Sequence, residues 1–126
     1  MTVDSTGAPA SATAFTTKPT PSMTRFAMCR AAFLAAKAAF HRHRDECRPE
    51  RADDHEGNRA YEASYQPLVD AWNGAGMAAV RCPVSSAHDL AEKLKIFREE
   101  DMFNNEAAAE LVGILIADAA RIGGAA

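Results

Sequence analysis

The run His41-Arg42-His43-Arg44-Asp45-Glu46-Cys47 gathers most of what this chain could bring to metal chemistry. On a helix, His43 and Cys47 are one turn apart and share a face, as do His41 and Asp45. A zinc site needs three or four convergent donors, with imidazole nitrogen and thiolate sulfur preferred. Each face of this segment supplies a pair, and His55, Cys82 and His88 would have to be brought in by folding. The plainer expectation is a solvated helix end whose cations lie at the negative end of the helix dipole. No metal ligand is therefore assigned, and Cys29, Cys47 and Cys82, without any C-x-x-C, are expected to be reduced, small apolar residues.

Carboxylates cluster at Glu99, Glu100, Asp101, Glu106 and Glu110. A di-iron bundle would require E-x-x-H pairs directed inward, and the sequence has none. These acids are expected to form a solvated face, with Glu92 an ordinary surface neighbour of His88 one turn earlier. G-x-S-x-G, H-E-x-x-H, the phosphate-binding loop and the dinucleotide fingerprint are all missing. No catalytic or cofactor-binding residue is assigned, and an enzyme is not expected.

Nucleic-acid chemistry has two sources of support. The segment Ser86–Ile96, SAHDLAEKLKI, has the Leu-Ala-x-x-Leu spacing of the first helix of a helix-turn-helix. The helix after it, which should carry base-reading Arg, Lys, Asn or Gln, instead offers Glu106, Glu110 and Asp118 with a late Arg121. Residues 1–44 hold six Lys/Arg against Asp4, a charge of +5, whereas residues 45–126 carry −8. That asymmetry suits a basic arm, but equally an attraction between the first helix and the acidic remainder. The second is preferred, and DNA association is kept as the alternative function.

The elements that would position these residues follow from composition and period. Of 126 residues, 28 are alanine and only 21 are Leu, Ile, Val or Phe, so any core is thin. Residues 1–21 are Ala, Ser, Thr and Pro with Phe15 the one large apolar side chain, and are expected to be disordered. Met23 follows directly and is a candidate initiator. The acid-free stretch 5–44 superficially suits an organelle transit peptide, but a tail followed by an amphipathic helix accounts for it as well. No stretch is apolar enough to cross a membrane, and the apolar run containing Lys37 is poorly placed for a secretory signal.

Beyond the tail, residues 22–126 are expected to form one helical domain. Phe26, Phe33, Phe40 and Cys47 recur every seven residues, with Cys29 and Ala36 between them, and predict a helix ending before Pro49. Tyr61, Tyr65, Leu68, Trp72, Ala75 and Ala79 predict a second over Arg59–Val80, kinked at Pro67 or starting late near Gln66. Ser86 caps a third from Ala87 to Glu100 that should bury Leu90, Leu94 and Phe97. Asn105 caps a fourth with the seam Ala108, Leu111, Leu115, Ala119 and Ile122, ended by left-handed Gly123-Gly124. The aromatic residues at these spacings are expected to be core.

The fold class expected is all-α: an antiparallel hairpin of two long helices with a shorter helical pair packed on it, a three- to four-helix bundle. Helix four is apolar over more than one stripe, so it should be central or face another subunit. Asp89 to Ile96, Glu106-Ala107-Ala108 and Asp118-Ala119-Ala120-Arg121-Ile122, with an upstream helix pair ending before Pro83, resemble small uncharacterised all-α proteins of Alphaproteobacteria, some from prophage-like neighbourhoods. The resemblance covers about 100 residues. It implies a helical fold and a bacterial cytoplasmic setting, and carries over no site residue. The expected function is that of a non-catalytic interaction or structural protein, self-associating or binding another protein through its helical seams.

Overall fold

The heptad of phenylalanines places one apolar stripe on a long helix, and a second stripe of the same period follows after the polar stretch around Pro49. The computed structural model describes residues 23–124. The tail expected over residues 1–21 lies outside them. Four α-helices make up the described part: α1 (Arg25–Cys47), α2 (His55–Arg81), α3 (Ala87–Glu99) and α4 (Ala108–Gly124), with a single 3₁₀ turn at Met102–Asn104. No strand occurs among the described residues.

Helices α1 and α2 form the antiparallel hairpin. Cys29 lies near Cys82, Phe33 against Gly76, and Phe40 against Trp72. Gly76 is what lets α1 approach: a Cβ there would stand 3.3 Å from both the Phe33 ring and the Met102 methyl. Helix α2 starts at His55, upstream of the expected Arg59, because the Asp54 carboxylate accepts the Gly57 backbone N–H at 2.9 Å and caps the first turn. It also continues through Pro67. The proline is on the exposed side, where water can satisfy the carbonyl left without a donor.

Helix α3 lies parallel to α1 and is tied to it along its length. The Thr24 hydroxyl accepts the Ala27 N–H as the cap of α1 and donates to Asp89 in the first turn of α3. Arg30 then pairs with Glu92 at 3.2 Å, and Lys37 with Glu100 at 2.9 Å. These contacts are the attraction between a basic first helix and an acidic remainder that the charge asymmetry suggested.

The buried core sits at one end of the hairpin. It comprises Phe26 and Phe33 of α1, Ala79 and Val80 of α2, Cys82 and Val84 of the α2–α3 connection, and Ile96, Met102, Leu111 and Leu115. Among the described residues, the other end consists of α1 and α2 alone. There Phe40, Tyr61, Tyr65 and Trp72 stay half-buried and pack as a ladder of tilted rings, with Phe40 to Trp72 at 5.1 Å and Tyr61 to Tyr65 at 5.1 Å. The aromatic residues thus divide between a buried core and a partly exposed ladder.

Two further expectations are corrected. Leu94 is 44% exposed, and the residues that α3 buries are Lys93 and Ile96. The helix is rotated from the expected seam because Lys93 turns inward to meet a carboxylate. Gly123 and Gly124 are helical, and no described glycine has a positive φ, so α4 is not ended by them within the described residues.

Candidate functional site

Along α4, the apolar positions Leu111 and Leu115 point into the core, and the same four-then-three step leads next to Asp118, which is also buried. The opposite side carries Ala109, Val112, Gly113, Ile116, Ala117 and Ala120, all exposed. Val112 is 41% exposed and Ile116 64%. Helix α4 is therefore at the surface, with one of its two apolar stripes facing outward. From Ala109 to Ala120 that strip is roughly 17 Å long.

The charged side chains of α4 are all engaged within the molecule. Glu110 receives two hydrogen bonds from the Arg81 guanidinium, both at 2.9 Å, which hold its carboxyl below the usual range. Asp118 accepts Lys93 Nζ at 2.5 Å through one oxygen, and the Val84 N–H at 3.2 Å and Arg121 at 3.0 Å through the other. Arg121 also donates to the Val84 carbonyl. The two groups of α4 thus grip both backbone polar groups of Val84 and fix the connection between α2 and α3. Burial raises the Asp118 pKa, but the bonds from Lys93, Val84 and Arg121 outweigh it and leave the carboxyl below its ordinary value. The result is an outward strip without a free charge, laid over a fixed polar lock.

Comparison of the chain with protein-family models, with curated proteins and with solved structures found no match. The site's geometry is accordingly the basis for its function.

The residues singled out by spacing are placed as follows. His43 stacks on Tyr61 at 5.6 Å, and its Nε2 is 2.9 Å from the Ser64 hydroxyl. That hydroxyl donates to the Tyr61 carbonyl, which leaves His43 Nε2 as the donor to Ser64. His41 sets an edge against Trp72 at 5.3 Å. Cys47 is exposed at the end of α1, and among the described residues it and His43 have no third donor. Among the described residues no three His, Cys, Asp or Glu side chains converge on an ion position.

Of the acidic cluster, Glu99, Asp101, Glu106 and Glu110 are exposed, as expected of a solvated face, and Glu100 is half-buried. Glu100 is drawn against Lys37, Glu110 against Arg81, and Asp101 adopts the left-handed conformation with φ of 55°. Glu92 pairs with Arg30 and Lys95. A cleft of about 200 Å³ between α2 and the 3₁₀ turn is lined by Trp72, Gly76, Glu100, Met102 and Asn105. The Trp72 indole N–H is buried without a hydrogen-bond partner among the described residues. Lys37 lies 5.6 Å above the Trp72 ring and neutralises Glu100.

Lys93, Asp118 and Arg121 were not among the residues that spacing marked as a set. The available signal was an acid at a seam position: Leu111, Leu115 and Asp118 step as a core stripe should, and a carboxylate there requires a buried partner.

Proposed function

We propose that this protein is a small, non-catalytic helical interaction protein that self-associates through the outward face of α4. The observation that carries the reading is the strip from Ala109 to Ala120, whose large members Val112 and Ile116 are exposed while every charge on the helix is engaged internally. An uncharged face can meet a second copy of itself without like-charge repulsion. Small residues at Ala109, Gly113 and Ala117 would let two such helices approach closely. No described helix is long and apolar enough to cross a membrane, and the proposal places the protein in the cytoplasm.

Association with DNA is less well supported. Two cations of the basic segment, Arg30 and Lys37, are already paired with α3, and the outward face of α4 has no donors for base edges.

Sedimentation of the full chain at tens of micromolar tests the proposal. A dimer or larger species is expected, and Ile116→Lys should return it to monomer with unchanged helical content, since Ile116 contributes little to the core. A strict monomer at that concentration overturns the proposal.

A further inference from the structure

Cys29, on the second turn of α1, and Cys82, at the C-cap of α2, are 53 positions apart in the chain, yet they line the same cleft. This opening holds about 290 Å³ and is completed by Arg25, Ala78, Arg81 and Pro83. The two sulfurs differ in access: Cys82 is buried at 6% exposure, whereas Cys29 is half-buried, and Cys47 lies exposed at the far end of the hairpin.

We propose that Cys29 and Cys82 form a dithiol oxidation site, in which hydrogen peroxide entering the cleft is reduced as the two thiols close to an intramolecular disulfide. Cys29, the accessible member, loses its proton and attacks one peroxide oxygen. The O–O bond breaks, a sulfenic acid forms, and the released hydroxide takes up the proton as water. Cys82 then gives up its proton and attacks the Cys29 sulfur. The S–O bond breaks, the S–S bond forms, and a second water leaves. Two thiols and one peroxide become one disulfide and two waters.

The surroundings suit this division of labour. Burial raises the Cys82 thiol pKa, and the adjacent Cys29 raises it further, so Cys82 is protected from direct oxidation; Lys93 and Arg25 act in the opposite direction and favour its anion. A resolving thiol beside an accessible one limits further oxidation of the sulfenic acid. No carboxylate is among the described residues that line the cleft; of its two arginines, Arg81 is paired with Glu110, and Arg25 stands close enough to favour the Cys82 anion.

The test is peptide mapping of the full chain after treatment with hydrogen peroxide and alkylation of the remaining thiols. The expected product is a tryptic pair joining residues 26–30 to residues 82–93, cleaved by dithiothreitol. Cys47→Ser should leave its yield unchanged, and Cys29→Ser should abolish it with Cys82 recovered as the alkylated thiol. The proposal is overturned if Cys29 proceeds to the sulfinic acid while Cys82 stays reduced, if all disulfide runs through Cys47, or if both thiols survive peroxide that oxidises Cys47. The wild-type map decides the matter without any variant, so a folding defect in one of them does not obscure it.

Discussion

The ammonium of Lys93 and the carboxylate of Asp118 meet at 2.5 Å with neither side chain exposed, bridging α3 and α4 across 25 positions of chain. Withdrawing both charges from water is costly, and the pair persists because Asp118 has further donors on its second oxygen. What the pair contributes is position: α3 can turn only the Lys93 face inward once Asp118 stands on α4.

Removing one partner should therefore be far worse than changing both. Asp118→Asn leaves Lys93 charged and buried, and should cost about 3–5 kcal/mol in urea unfolding. Adding Lys93→Met removes the stranded charge while the asparagine oxygen still accepts the Val84 N–H. The double variant should recover most of the loss. Additive losses in the double variant would contradict a direct dependence of Lys93 on Asp118.

Acid sensitivity has a definite sign. Asp118 ionises in the folded protein below its ordinary value of 3.8 because its hydrogen bonds exceed the opposing effect of burial. Its contribution is therefore fully present above the unfolded carboxylate value and is lost as pH falls through the lower, folded value. Urea midpoints measured across the acid range should decline more steeply for wild type than for Asp118→Asn. Equal slopes would show that Asp118 does not titrate with unfolding.

Two glycines of α2 should respond oppositely to alanine. At Gly74 an added Cβ meets nothing within 4 Å, and Gly74→Ala should stabilise by about 0.5–1 kcal/mol through chain entropy. At Gly76 the same atom meets Phe33 and Met102 at 3.3 Å, so crowding of about 1–3 kcal/mol should outweigh the gain. Thermal midpoints of the two variants, moving in opposite directions from wild type, are the check.

On α3 the burial pattern separates two leucine-sized residues. Ile96, at 4% exposure, should cost about 2–5 kcal/mol when changed to alanine. Leu94, at 44%, should cost under about 0.5 kcal/mol in the monomer, as surface positions do. A large loss at Leu94 under dilute conditions would mean that the helix face is misassigned.

The architecture was legible because period and punctuation agree. The seven-residue recurrence of Phe26, Phe33 and Phe40 defines α1, and Ser86 before Ala87 marks the start of α3 correctly, since its hydroxyl accepts the Asp89 N–H. Faces were less legible than helices. Taking Lys93 as a surface residue forces the α3 seam onto Leu94, and only the partner on α4, 25 positions later, explains why a lysine is inside. The start of α2 was hidden for a similar reason, because Asp54 stands in a run of charged residues where any one could cap. Helix four had an evident surplus of apolar surface, but which stripe faces the core depends on Asp118. For the cysteines, the spacing of 29 and 82 carries no sign of proximity until the hairpin returns α2 alongside α1.

The grip of Asp118 and Arg121 on Val84 also sets an order of events during synthesis. Val84 leaves the ribosome 34 residues before Asp118 and 37 before Arg121, so its amide and carbonyl must remain hydrated while α1, α2 and α3 are already outside. The growing chain consequently holds an incomplete core until its last helix arrives. A nascent chain stalled with residue 118 still inside the exit tunnel should bind a hydrophobic-patch chaperone, and one carried on a C-terminal linker until residue 121 has emerged should release it.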